Sequence, residues 1–207
     1  MKEQDMENEN EPNDAQLLSR FKDGDNSAFE VLLNRYRMPL FNYIYRLVNN
    51  KIVAEDLFQD VFVRLFKAIP NYQEQGKFSG WIFGIANNLA IDYLRAKGRQ
   101  KSIFVDNEMA NADFNIIDTF PDNSLTPQDF VERKELQQIL ADAISQLPVE
   151  QRQVLLMREH SDLPFKEIAN NLGCSINTVL GRMRYALLNL RKIINDKFKG
   201  ELSNVLQ

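Results

Sequence analysis

The chain has 207 residues, 44% hydrophobic and 26% charged, with a formal net charge of −4. That length gives one large or two small domains with folded cores. One cysteine, Cys174, rules out an internal disulfide, and with one histidine, His160, a Cys/His zinc site within a single chain is ruled out as well.

No apolar run approaches the ~20 residues of a membrane span, so no membrane insertion is expected. The first residues, MKEQDMENENEPND, lack the apolar core of a secretory signal. Sparse cysteine makes a reducing, cytoplasmic setting the expectation. The charge is unevenly spread. Residues 1–13 carry net −4, residues 14–101 net +4, residues 102–131 net −6, and residues 132–207 net +2. Two mildly basic blocks, separated by an acidic segment, fit nucleic-acid partners as well as they fit plain solvated domains.

Residues 1–13 are polar and acidic and read as a disordered tail. Asp14 is placed to cap a short helix ending near Gly24. A longer helix starts at Asn26 or Ser27, with Phe29, Leu32, Leu33 and Tyr36 at helical spacing. Pro39 is expected to kink or break it, since it removes an amide donor. Leu40, Phe41, Ile44, Tyr45 and Val48 continue the pattern to Asn49-Asn50.

The next helix spans about Ile52 to Ile69. Ala54, Leu57, Phe58, Val61, Phe62, Leu65 and Ile69 form its apolar stripe. Glu55, Asp56, Gln59 and Asp60 lie toward the other side, where acids also suit the helix dipole. Asn71–Ser79 is a polar loop after Pro70, and Ser79 is placed to cap a helix from Trp81 to about Lys97. Trp81, Ile82, Ile85, Ala86, Leu89 and Tyr93 face inward. Asn88, Asp92, Arg95 and Arg99 recur on one outer face.

Residues 102–131 show no sustained period and form a long acidic linker. Four helices follow: Glu132–Gln146, one from Pro148 to about His160, a short one over Phe165–Leu172, and a last one capped by Ser175 and reaching about Lys199. The fold class is all-α: two small helical domains, at 14–101 and 132–199, with a short tail at 200–207.

The last two helices carry a specific arrangement. Ala169, Gly173 and Val179 have the spacing A-x3-G-x5-V. A helix-turn-helix needs a small residue where its helices cross, a glycine with positive φ in the turn, and an aliphatic pin on the second helix. Ile168, Leu172, Ile176 and Met183 fill the other inner positions. Ser175, Asn177, Thr178, Gly181 and Arg182 would then face a major groove.

With these residues in place, the chain resembles the sigma-70 family of bacterial transcription initiation factors, in its small extracytoplasmic-function (ECF) subfamily. Ala54–Phe62 (AEDLFQDVF) resembles the family's core-polymerase-binding helix. Phe78-x2-Trp81 with Ile85-Ala86-x-Asn88-x3-Asp92-x2-Arg95 resembles its promoter-melting and minus-ten-reading helix. Leu147-Pro148 with Arg152, then Glu167-Ile168-Ala169, then Thr178-Val179 with Arg182, resembles its minus-thirty-five-reading domain.

The resemblance implies roles. Glu55, Asp56, Gln59 and Asp60 would meet basic side chains on the β′ clamp helices of core RNA polymerase, and the β flap is a second implied contact. Tyr72, Gln73 and Lys77 would receive an unstacked non-template base, and Asn88, Asp92, Arg95 and Arg99 would line DNA near the melted region. Ser175, Asn177, Thr178, Gly181, Arg182 and Arg184 would read the minus-thirty-five element. An anti-sigma factor is an implied partner, promoter DNA another, and the acidic linker would thread polymerase channels. The resemblance implies no cofactor, metal or catalytic residue. The sequence also lacks a P-loop and a Ser/His/Asp set.

The chain departs from the family pattern at several positions. Leu180 and Gly181 follow Thr178-Val179, where Lys-Ser is common. Tyr185 and Leu187 stand where Arg is common, and Asn87 replaces a frequent Arg in the melting helix. Two other readings stay open beside the sigma factor: a stand-alone helix-turn-helix regulator, and a helical protein–protein adaptor without DNA activity.

Overall fold

The computed structural model describes residues 12–73, 77–101 and 127–205. Among the described residues every regular element is helical: α1 (Asp14–Lys22), α2 (Asn26–Val48), α3 (Lys51–Ala68), a 3₁₀ turn (Ile69–Asn71), α4 (Phe78–Lys101), α5 (Pro127–Ser145), α6 (Val149–Ser161), α7 (Phe165–Asn171) and α8 (Ile176–Val205). The chain is all-α, with an N-terminal unit, α1–α4, and a C-terminal unit, α5–α8, that contains the helix-turn-helix.

Helix α1 begins one residue earlier than expected. Asn13 is the cap: its side chain accepts the Gln16 N–H, and the Gln16 side chain accepts the Asn13 N–H. That reciprocal pairing satisfies two of the amides a helix start leaves without partners. Asp14 instead turns toward α2, where its carboxylate accepts from Arg35 at 2.5 Å and from the Tyr36 hydroxyl.

Pro39 does not break α2, which runs unbroken from Asn26 to Val48. The lost amide bond is outweighed by burial on both sides: Leu32, Leu40, Tyr43 and Ile44 are fully enclosed. Asn49 ends α2 in the left-handed conformation, and Asn50 caps α3 by accepting the Val53 N–H. The sharp reversal lays α3 back along α2. Ala54, Leu57, Val61 and Leu65 supply its buried stripe, while Phe58 and Phe62 are half-buried in an aromatic cluster with Phe41.

Helix α4 begins at Phe78, so Ser79 lies inside it rather than at its cap, and its hydroxyl donates to the Ser161 carbonyl. Phe78, Ile82, Phe83, Ala86 and Ala90 are buried. Of the expected acidic linker, residues 102–126 lie outside the described residues, and the last five already belong to α5. The expected acidic tail likewise lies outside them up to residue 11. Helix α8 continues to Val205, past the expected end near Lys199.

In the C-terminal unit, Gly173 takes φ +60° between α7 and α8, the left-handed geometry the turn requires. Ala169 and Val179 are buried at the crossing. Ile176, expected inward, is the first residue of α8 and is 44% exposed.

The two units are packed against each other. Helix α6 lies along α2 and α4, and α7 touches α4. Nothing in the sequence reading anticipated this interface.

Candidate functional site

Glu55, Asp56, Gln59 and Asp60 are all exposed on the outer face of α3. The same face carries apolar side chains that sequence reasoning missed: Ile52 is 72% exposed, Val63 51% and Phe66 62%. Spacing along one helix could have found them, since 52, 56, 59, 63 and 66 fall on one stripe. The stripe is therefore mixed, with Asp56 and Gln59 standing between Ile52 at one end and Val63 and Phe66 at the other.

The loop residues behave differently from one another. Gln73 and Lys77 are exposed. The Tyr72 ring is stacked on Trp81 at 4.2 Å between centroids and stands edge-on to Phe78. One face of Tyr72 is thus already covered. Lys77 pairs with Glu167 of α7 at 3.4 Å. Residues 74–76 of the loop lie outside the described residues. On α4, Asn88, Asp92, Arg95 and Arg99 share one exposed face, with Arg95 3.9 Å from Asp92.

At the start of α8 the Ser175 hydroxyl accepts the Thr178 N–H at 3.1 Å and meets the Thr178 hydroxyl at 2.9 Å. Asn177, Thr178 and Arg184 are exposed, whereas Gly181 and Arg182 are half-buried. The Arg182 guanidinium lies 4.0 Å from the sulfur of Cys174, which is itself half-buried. Leu180, Tyr185, Leu187 and Leu188 are exposed along the same helix. Positions where the resemblance leads one to expect arginine thus present an apolar surface.

The C-terminal unit closes over α4. Asn87, 4% exposed, sits at the centre of the contact. Its side-chain oxygen accepts from the Tyr43 hydroxyl at 3.0 Å and from Gln153 Nε2 at 2.7 Å. Burial pushes the Tyr43 phenol well above its ordinary pKa, so it stays a donor. Arg46 reaches Glu159 at 3.4 Å. Gly80 and Gly84 let α7 approach: a methyl group on Gly84 would lie 3.2 Å from Asn171 Oδ1.

His160, in the last turn of α6, is largely enclosed near Arg46 of α2. Burial first, then the charge of Arg46, lowers its pKa from 6.5 to about 4. Among the described residues its Nε2 has no hydrogen-bond partner, and neither has Asn171 Nδ2. Beside this contact lies a cleft of about 690 Å³, and Asn88, Asp92 and Arg95 of α4 line it together with Arg182 of α8. Arg182 is thus set apart from Asn177, Thr178 and Arg184, which face solvent.

The sequence matches the profile of sigma-70 region 2 over residues 32–100 and that of sigma-70 region 4 over residues 137–190. It is 29% identical to the RNA polymerase sigma-H factor of Pseudomonas aeruginosa, over 82% of this chain and 88% of that protein. It is 29% identical to the ECF RNA polymerase sigma factor SigW of Bacillus subtilis, over 86% of this chain and 95% of that one. In fold it is similar to the sigma factor RpoE of Bartonella quintana, solved in complex with the anti-sigma factor NepR. That likeness has a TM-score of 0.60 at 21% identity and covers 81% and 96% of the two chains. CnrH, solved with the cytosolic domain of CnrY, gives a TM-score of 0.58 at 20% identity over 87% and 96%. Among the described residues no helix is long and apolar enough to cross a membrane.

Proposed function

We propose that this chain, which belongs to the sigma-70 family and within it to the ECF subfamily, is a dissociable promoter-specificity subunit of bacterial RNA polymerase. The observation that carries the reading is the ordered match to regions 2 and 4. The chain contributes no bond-making chemistry. It acts in the cytoplasm, chooses the start site and helps open the duplex, and the polymerase makes the RNA.

In this reading residues 14–101 bind core polymerase and the minus-ten element, and residues 132–199 read the minus-thirty-five element. The α3 face meets a basic, partly apolar helical surface on the β′ clamp. Its carboxylates steer the encounter, and Ile52, Val63 and Phe66 add apolar contact toward the two ends of the stripe. On α4, Asn88, Asp92, Arg95 and Arg99 contact the separated strands, with Gln73 and Lys77 at the loop. Tyr72 is a support for Trp81 before it is a stacking platform, because that ring already occupies one of its faces.

On α8, Asn177, Thr178, Gly181 and Arg184 read or flank the duplex, with Ser175 bracing the first turn and Arg182 turned toward the cleft. An anti-sigma protein is a further partner, and the relative of similar fold solved with NepR supports it.

Run-off transcription from fragmented genomic DNA tests the reading. Core polymerase with this protein should produce start sites that core alone does not. A stand-alone regulator or an adaptor would give none.

A further inference from the structure

We propose that the cleft beside Asn87 is a binding site for a nucleoside polyphosphate, whose phosphates are held by Arg64, Arg95 and Arg182.

The three guanidinium groups come from three helices, Arg64 from α3, Arg95 from α4 and Arg182 from α8, and all line one cleft of about 690 Å³. That volume lies within the roughly 300–1,000 Å³ of small-molecule sites, which also favour the boundary between packed units. Like charges from separate parts of the chain gain nothing by sharing a cleft unless an anion joins them. Protein carboxylates do not take that part. Among the described residues Arg64 has no ion pair and no side-chain hydrogen bond. Arg182 reaches the sulfur of Cys174 at 4.0 Å and no carboxylate among the described residues. Arg95 lies 3.9 Å from Asp92, but both side chains are well exposed, so that pair is weak. Arginine suits phosphate because its planar fork offers paired N–H donors to two oxygens at once.

The remaining walls select the class of anion. A bare phosphate would leave most of the cleft empty. Ile91 and Leu94 of α4, with Leu172 after α7, add an apolar wall on which a nucleobase can lie. Glu150, in the first turn of α6, supplies an exposed acceptor suited to ribose hydroxyls. Asn171, the last residue of α7, also lines the cleft, and its Nδ2 is buried with no hydrogen-bond partner among the described residues. Buried donors without partners are rare, and an acceptor on a bound molecule would answer this one. A nucleotide uses every part of this lining: charge for its phosphates, a carboxylate for its sugar, an apolar wall and an amide for its base.

The site stands on the cleft itself. Its consequence rests on the functional reading above: a ligand on Arg95 and Arg182 would compete with promoter DNA for them.

Calorimetric titration of the full-length protein at physiological salt tests the site, with ATP, GTP, inorganic triphosphate and an oligothymidylate as probes. ATP or GTP should bind saturably, one molecule per chain, with a dissociation constant below about 1 mM. It should bind at least tenfold more tightly than inorganic triphosphate, because only the nucleotide reaches the apolar wall. Arg64→Ala and Arg182→Ala should each weaken it at least tenfold. Arg64 is exposed, so its removal leaves the core intact, and circular dichroism checks both variants. Arg191→Ala, on α8 outside the cleft, should change the affinity by less than twofold. No saturable nucleotide binding overturns the proposal, and so does binding that inorganic triphosphate matches or that Arg64→Ala leaves intact. An oligothymidylate that binds through Arg64 and Arg182 more tightly than either nucleotide also overturns it, and makes the cleft part of a nucleic-acid path. Neither promoter nor polymerase enters this measurement, so a negative result leaves the functional reading standing. An absence of new start sites in run-off transcription likewise leaves the nucleotide site standing.

Discussion

His160 shows what a single buried group contributes. Its imidazole is enclosed near Arg46, and its pKa falls to about 4 from an ordinary 6.5. Between those values the unfolded chain holds a proton that the folded chain refuses. Stability is therefore full above pH 6.5 and declines as pH falls toward 4. A shift of this size corresponds to about 2 kcal/mol once local relaxation and water access are allowed for. Urea unfolding at pH 7.5, 6 and 5 should follow that decline, and His160→Gln should flatten it. Gly173 carries a different kind of constraint. Its φ is +60°, and a methyl group there would meet nothing within 4 Å. Gly173→Ala should therefore cost only conformational strain, about 1–2 kcal/mol, read as an unfolding midpoint below that of the wild-type chain.

Helices were legible in the sequence because their information is local. The stripe Ala54, Leu57, Val61, Leu65 is buried as its spacing requires, and Ser175 and Gly173 do at the turn what their chemistry prescribes. Ends and exceptions were less legible because they depend on neighbours. Asn13 takes the cap since Asp14 is drawn to Arg35, and Pro39 stays helical because packing on both sides of α2 outweighs one lost bond. The contact between units was not legible at all. Asn87 and Gln153 stand 66 residues apart, and no periodicity links them. At this scale the functional faces make separable predictions. Asp56→Lys with Asp60→Lys should weaken binding to core polymerase at least tenfold, since it reverses charge on an exposed face. Its effect on unfolding should stay within about 0.5 kcal/mol. Arg95→Ala on α4 should reduce the salt dependence of promoter binding by the holoenzyme, by about 0.7 to 0.9 in log–log slope if it holds one phosphate.

The whole molecule imposes an order on its own assembly. With the two units packed together the α3 face is already exposed, with Glu55, Asp56, Gln59 and Asp60 open to solvent, while Asn87 is sealed and Arg182 turns into the cleft. Polymerase can therefore capture the chain through α3 before the two units part. Two steps of different character follow from this. Capture is bimolecular and charge-steered, so its rate should rise with polymerase concentration and fall as salt is added. Opening is internal: it breaks the Asn87 contacts, and its rate should be independent of concentration and nearly independent of salt. Stopped-flow fluorescence with labelled chain and excess core polymerase should resolve both phases. Gly84→Leu, which props the units apart, should abolish the slow phase and leave the fast one within about twofold. Asp56→Lys with Asp60→Lys should slow the fast phase and leave the slow one in place. A single phase in the wild-type chain, sensitive to concentration throughout, would mean that the units are already apart when polymerase arrives.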